Sequence, residues 1–215
     1  MVRQLATENS RQHRHEAQRQ EILDAAAAAI AEHGYHGMTM RGLARATESG
    51  LATFYNYFSS KEDLLFSLQS EAFETMTRSV QEALAEVGQP LDQLYVFVLN
   101  HLRYFVGHRA VMRVLVSEAA ALPAGRRRTV RLLKEAYFKI CRDIVADIYA
   151  ASVDTAEVER ITYNIFGMLN WSYAWYDPKS HGSAEDVART IHAMATGSLQ
   201  QNNSGVRLQL RTGTR

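Results

Sequence analysis

Twenty residues, Thr39-Met-Arg-Gly-Leu-Ala-Arg-Ala-Thr-Glu-Ser-Gly-Leu-Ala-Thr-Phe-Tyr-Asn-Tyr-Phe58, constrain the fold of this chain more than any other stretch. Leu43, Ala44 and Thr47 recur at i, i+1 and i+4, one face of a short helix. After Gly50 the pattern restarts as Leu51, Phe54, Tyr55 and Phe58, at i, i+3, i+4 and i+7. That spacing predicts a second short helix with these four on its packed side and Ala52, Thr53, Asn56 and Tyr57 opposite. The opposite side is small and polar where the helix begins, the shape needed to push a first turn into a groove. Unpaired backbone N–H groups at such a helix start favour phosphate oxygens, and Thr53 and Asn56 can hydrogen-bond base edges or phosphates. Duplex DNA is the ligand these features fit. Phe58 reads as a core anchor, whereas Tyr55 can bury its ring and still offer its hydroxyl to a phosphate.

Five segments in order, Arg19-Gln-Glu-Ile-Leu-Asp-Ala-Ala, Ala31-Glu-His-Gly-Tyr, Thr39-Met-Arg, Thr53-Phe-Tyr-Asn-Tyr-Phe and Ser60-Lys-Glu-Asp-Leu-Leu, resemble the N-terminal domain of the TetR family of transcriptional repressors. The likeness runs from Arg19 to Leu65. It implies that Thr39, Thr53, Tyr55, Asn56 or Tyr57, and Lys61 touch phosphates or bases, that Leu51 and Ala52 meet the groove, and that Arg41 and Gly50 belong to the same interface. Where the family usually has Gly-Val-Ser in the turn, this chain has Glu48-Ser49-Gly50.

The domain that should meet DNA is not basic: from Met1 to Leu65 there are seven Lys or Arg against eight Asp or Glu. Affinity for phosphate must then depend on where a few cations sit. Arg3, Arg11 and Arg14, with His13 and His15, lie in a polar leader that either reaches along the duplex or is a solvated tail. The whole chain, with a net charge of +1, 47% hydrophobic and 22% charged residues, has the make-up of a soluble globular protein. No apolar run approaches the ~18 residues of a membrane span, and residues 1–10 lack the apolar core of a secretion signal, so a cytoplasmic location and no membrane partner are expected. Cys141, the single cysteine, sits beside Ile140, Ile144 and Val145 and reads as a small buried hydrophobe.

The rest of the chain is periodic at helical spacing, with no alternation of period two. A first helix is expected from near Glu16 to His33-Gly34, carrying Ile22, Leu23, Ala26 and Ile30 inward. Ser59 or Ser60 caps a long helix that runs to Gly88-Gln-Pro90. Helices follow from Leu91 with Leu91, Leu94, Val98, Leu102 and Phe105 inward, from Val111 after a break at Gly107-His108, and from about Arg126. Asp154-Thr-Ala-Glu157 and Ser183-Ala-Glu-Asp186 start the last two, lined by Val158, Ile165, Leu169 and Trp171 and by Val187, Ile191 and Met194. The fold class is therefore all-α: an N-terminal three-helix helix-turn-helix domain plus a C-terminal helical bundle for ligand and dimerisation, about nine helices. The expected division is a leader over 1–15, the helix-turn-helix domain over 16–65, the bundle over 66–200 and a flexible tail over 201–215. The last two apolar helices suit an antiparallel pair that meets its copy across a two-fold axis, giving a homodimer for a near-palindromic operator.

A second site is less defined. Phe97, His101, Tyr104, His108, Met112, Tyr137, Asn170, Trp171 and Tyr173 mix apolar surface with polar groups, as the lining for a mostly apolar small-molecule effector would, and equally as an aromatic core would. Leu122-Pro-Ala-Gly-Arg-Arg-Arg-Thr129 and Asn170-Trp-Ser-Tyr-Ala-Trp-Tyr-Asp-Pro178 are similar to TetR-type regulators that sense acyl-CoA thioesters. On that likeness Arg126, Arg127 and Arg128 pair with CoA phosphates; on residue type alone they are a solvated helix start. No phosphate loop, metal-ligand pair or nucleophile motif supports an enzyme using His101 or His108 with Asp92 or Glu118, so no catalytic residue, metal or cofactor is assigned. The expected function is a DNA-binding repressor released by an apolar or acyl-CoA-type effector, with a regulator lacking any effector as the alternative.

Overall fold

The computed structural model describes residues 2–47, 50–118, 120–149 and 153–202, with backbone only for 2–10 and 198–202. Among the described residues there are ten helices and no strand: α1 Val2–Gly37, α2 Met40–Ala46, α3 Leu51–Tyr57, α4 Lys61–Leu84, α5 Pro90–Gly107, α6 Arg109–Ser117, α7 Ala124–Tyr149, α8 Thr155–Trp175, α9 Pro178–His181 and α10 Ala184–Asn202. The all-α class is as expected. The extra element is α9, a single turn set by Pro178 at its start and by Asp177, whose side chain accepts from the Lys179 N–H at 3.2 Å. One turn is too short to leave a periodic signature.

One boundary and one inward-facing residue are corrected. The first helix begins at Val2 rather than near Glu16. Residues 2–33 contain neither Gly nor Pro to stop a helix, and because residues 7–16 are polar all round no continuous apolar stripe announces one. The helix breaks as expected at Gly34, whose φ of 73° and ψ of 161° lie where side chains with a Cβ are strained. The other correction is at α5, where Leu91 is 45% exposed while Leu94, Phe97, Val98, Leu102 and Phe105 are buried. The tail expected beyond residue 200 falls, from 203 onward, outside the described residues.

Caps explain the remaining boundaries. The Ser60 hydroxyl accepts from the Asp63 N–H at 3.1 Å, and the Asp63 carboxylate accepts from the Ser59 N–H at 2.9 Å, closing the start of α4. Asp154 accepts from the Glu157 N–H at 2.7 Å ahead of α8. Ser183 and Asp186 exchange hydrogen bonds of 2.8 and 3.2 Å at the head of α10. Each such cap contributes ~1 kcal/mol by satisfying N–H groups the helix itself leaves open.

By compactness the chain divides into two units, Met1–Gln81 with Tyr104–Lys139, and Glu82–Arg103 with Ile140–Arg215. The first therefore holds the helix-turn-helix elements together with α6 and the first part of α7. Its core is Ile22, Leu23, Ala26 and Ile30 of α1, Leu43 of α2, Phe54, Phe58, and Leu64, Leu65 and Leu68 of α4, all nearly inaccessible. Tyr35 N–H donates to the Glu118 carboxylate at 3.1 Å and Gln69 Nε2 donates to the Glu118 carbonyl at 3.2 Å, so the end of α6 is tied to both α1 and α4. In the second unit the buried residues include Leu94, Phe97 and Val98, Val158, Ile165 and Leu169, and Val187, Ala188 and Ile191. Arg103 donates to Glu185 at 2.6 Å and the Tyr149 hydroxyl to the Ala195 carbonyl at 3.0 Å, fixing α10 to α5 and α7.

Candidate functional site

The two short helices are positioned from beneath. Phe54 and Phe58 are 0% and 1% exposed, and the Arg19 guanidinium lies 5.3 Å over the Phe58 ring while pairing with Glu71 of α4. Burying two phenylalanines contributes several kcal/mol, enough to hold a seven-residue helix that would not persist alone. Thr39 caps α2, its Oγ1 accepting from the Gly42 N–H at 3.0 Å. Gly50 caps α3 with φ −66° and ψ 140°, an extended conformation open to any residue, and supplies no side-chain bond. Glu48 and Ser49 of the expected turn lie outside the described residues.

The exposed face of α3 keeps Ala52 and Asn56 but differs from the expected one at the two tyrosines. Gly50, Ala52 and Asn56 face solvent and Thr53 is half-buried, but Tyr55, expected on the packed side, is 52% exposed. Tyr57, expected opposite, turns inward: its hydroxyl donates to Gln18 Oε1 at 2.9 Å and its ring sits 4.4 Å from that of His15. The reason is the end of the helix. Phe58 has φ −135° and ψ 117°, so it reaches the core from extended backbone rather than as the next rung of the 3.6 period, and the packed stripe shifts toward Tyr57. Leu51 is half-buried and Arg41 of α2 is exposed. Lys61 is engaged within the protein, donating to the His36 carbonyl at 3.2 Å with its ammonium 4.3 Å over the Tyr35 ring. An ammonium carries three donors, so the contact leaves capacity for a phosphate.

The family models match both parts of the chain: "Bacterial regulatory proteins, tetR family" over residues 22–68 and "Tetracyclin repressor-like, C-terminal domain" over residues 87–199. The chain belongs to the TetR family. Its relatives are regulators, not enzymes. The fatty acid metabolism regulator protein of Bacillus subtilis is 26% identical over 127 residues, 59% of this chain and 66% of that protein. The transcriptional repressor AcnR of Corynebacterium efficiens is 41% identical over 70 residues, 32% of this chain and 37% of AcnR. The match thus spans less than two thirds of either relative. Among solved structures, AibR in complex with isovaleryl coenzyme A and operator DNA superposes with a TM-score of 0.72 at 21% identity, covering 82% of this chain and 96% of AibR. At that identity it is the fold that is shared.

The residues expected around an effector do not behave as one group. Phe97 and His101 are buried in the second unit, each meeting the edge of the Phe166 ring at 5.9 and 6.1 Å between centroids. Burial lowers the His101 pKa to about 4, keeping the imidazole neutral. Asn170 is half-buried in the same unit. In the first unit Met112 and Tyr137 are buried, and Tyr104 stacks on His108 with 4.3 Å between rings. Desolvation pushes the Tyr104 hydroxyl up to about 12, so it stays a neutral donor. Burial likewise pushes the Cys141 thiol up, which leaves it inert as a nucleophile.

Trp171 faces outward where it was expected to line the inner side of its helix, and Arg126 is engaged within the protein. Trp171, read as helix lining, is 63% exposed. With Met168, Trp175, Val187, Ile191 and Met194 it forms an open apolar groove of about 680 Å³ on α8 and α10. Arg126, expected to meet phosphate, donates to Asp63 at 2.9 Å with its guanidinium 5.3 Å over Phe66. The Ser59 N–H, and with it Arg126, holds the Asp63 carboxyl below the usual range. Arg128 is exposed, and Arg127 lines a cavity against α4 and α6. Gln18 and Gln69, both engaged near these sites, had no distinguishing signal in the sequence because a lone polar residue on a helix reads as surface; Asp63 was legible as the acid of the helix cap but not as the partner of Arg126.

Proposed function

We propose that this chain is a transcriptional repressor that binds a near-palindromic DNA operator as a homodimer and lets go of it when an acyl-CoA-type effector binds. The exposed face of α3 carries this reading: Gly50, Ala52, Tyr55 and Asn56 project over a core fixed by Phe54 and Phe58. Small residues at the helix start admit it to a major groove, and Asn56 and the Tyr55 hydroxyl supply hydrogen bonds to bases or phosphates. Thr53 and Leu51 flank that face, Thr39 and Arg41 approach phosphates from the start of α2, and Lys61 approaches from the start of α4. Tyr57 serves this interface from behind, through Gln18.

Dimerisation is supported by the α8 and α10 groove. Tyr163, Trp171 and Met194 are 64%, 63% and 68% exposed, a density of large apolar side chains that a surface facing only water rarely carries. The effector class is supported by what similar proteins are named for, fatty acid metabolism in one case and isovaleryl coenzyme A in another. Among the described residues no helix is long and apolar enough to cross a membrane, which is compatible with the proposed cytoplasmic setting.

The test is a gel shift on DNA from the protein's own promoter region across a salt series, with and without octanoyl-CoA. Retarded DNA whose affinity falls with salt, and release by octanoyl-CoA, are expected. Absent or salt-insensitive binding overturns the DNA reading, and release by no acyl-CoA overturns only the effector.

A further inference from the structure

Lys61 opens α4, yet its long side chain is not left to sample solvent. The ammonium donates to the His36 carbonyl at 3.2 Å and stands 4.3 Å over the Tyr35 ring. That ring is itself fixed. Tyr35 is 4% exposed and follows Gly34, whose φ of 73° turns the chain toward the core near the end of α1. The Tyr35 N–H donates to the Glu118 carboxylate at 3.1 Å, and the Glu118 carbonyl accepts from Gln69 of α4 at 3.2 Å. Burial first, and the nearby Glu62 second, push the Tyr35 hydroxyl up to about 12, so the ring offers a neutral aromatic face and not a phenolate. The other cations of these elements are held differently: Arg19 and Arg126 are paired with the carboxylates of Glu71 and Asp63. Lys61 is gripped by groups without a net charge, which fix it in place and leave its own charge unneutralised.

We propose that Tyr35 is a positioning residue for operator binding: its ring, braced through Glu118, holds the Lys61 ammonium where the donors it has left meet a DNA phosphate. This rests on the DNA reading above and adds to it a buried residue that sets affinity without touching DNA. A lysine side chain carries roughly 2 kcal/mol of rotamer entropy, and ordering such a chain at an interface costs ~0.5–1.5 kcal/mol. Here the ordering is done when the protein folds, so phosphate binding does not have to supply it. The hold and the phosphate contact do not compete, because an ammonium has three donors and the His36 carbonyl takes one. A carboxylate in the place of the ring would have fixed the lysine equally well and cancelled the charge that phosphate needs.

A double-mutant cycle on the full chain tests this, read as affinity for DNA from the protein's own promoter region by fluorescence anisotropy. Tyr35→Leu should weaken binding about threefold per reading head, and so about tenfold for the two heads of a dimer. In a Lys61→Ala background the same change should cost less than about twofold, since the group it positions is gone. Tyr35→Phe, which keeps the ring, should bind as the wild type does. Thermal unfolding identifies any variant that has lost its fold. If Tyr35→Leu is one of them, trifluorophenylalanine at position 35 replaces it: the ring keeps its shape but loses the electron density of its face, and weaker binding than Tyr35→Phe is expected. Equal losses with and without Lys61, no loss on removing the ring or its electron density, tighter binding in either case, or a Lys61→Ala chain that binds as the wild type does, overturn the positioning role while leaving DNA binding in place. A wild-type chain that binds no promoter DNA overturns both readings.

Discussion

Thr39, Asn56 and His101 show three ways in which one side chain can matter, and each makes a separable prediction. Thr39 caps α2 through its hydroxyl, so Thr39→Ala should lower stability by ~1 kcal/mol and Thr39→Ser should restore it, measured by urea unfolding. If the same hydroxyl also meets a phosphate, the alanine variant loses operator affinity beyond what its stability accounts for. Asn56 is exposed on α3 and packs nothing, so Asn56→Ala should leave the melting temperature unchanged and weaken binding to the best operator roughly tenfold, an amide–base contact being worth ~1–3 kcal/mol. Unchanged affinity in a gel shift would remove Asn56 from the interface. His101 is held neutral by burial with a pKa of about 4 against 6.5 for the free imidazole. Between those values the unfolded chain binds a proton that the folded chain does not, so stability present above pH 6.5 should fall as pH drops toward 4, by an amount on the order of 3 kcal/mol. His101→Phe should flatten that stretch of the profile. Single residues were legible where chemistry and position coincided, as for Phe58 and Gly34. Tyr55 and Tyr57 exchanged places because α3 ends one residue before Phe58, and a periodic pattern cannot announce where its own period stops.

At the scale of elements, legibility followed punctuation. Caps at Ser60, Asp154 and Ser183 and the break at Gly107-His108 mark helix limits that the structure confirms, since each leaves a specific residue type at a specific offset. The head of α1 was hidden because its sequence carries no continuous apolar stripe, and α9 because four residues make no period. The α8 and α10 pair was legible as apolar and as a surface for a second copy, but not which of its side chains face outward: sequence spacing gives the angle around a helix and not what stands across from it. Exposure decides, and it turns Trp171 from lining into surface. Trp171→Glu together with Met194→Glu places two charges in the groove and should convert the dimer to monomer in analytical ultracentrifugation at micromolar concentration, with the helical circular dichroism retained. A dimer that survives both charges would place the two-fold contact elsewhere.

For the whole molecule the decisive quantity is the geometry of two reading heads on one duplex. Each α3 has seven residues, none of them Lys or Arg, and a small exposed face, while Arg19 beneath it is held by Glu71. A single head should then bind weakly, because phosphate neutralisation supplies most non-specific affinity and little of it is on offer. Tight binding must come from two heads engaging half-sites at once, ~34–36 Å apart or a multiple of that distance. Inserting five base pairs between the half-sites rotates one of them to the opposite side of the duplex, since a turn takes ~10–10.5 base pairs. Affinity for that DNA should drop to the level of a single half-site in a fluorescence-anisotropy titration. An insertion of ten base pairs restores the face but not the distance, so recovery should be partial at most for a dimer whose heads are rigidly held. Full affinity on the five-base-pair insertion would mean that the heads are read independently, and release by an effector could then not work by changing their separation.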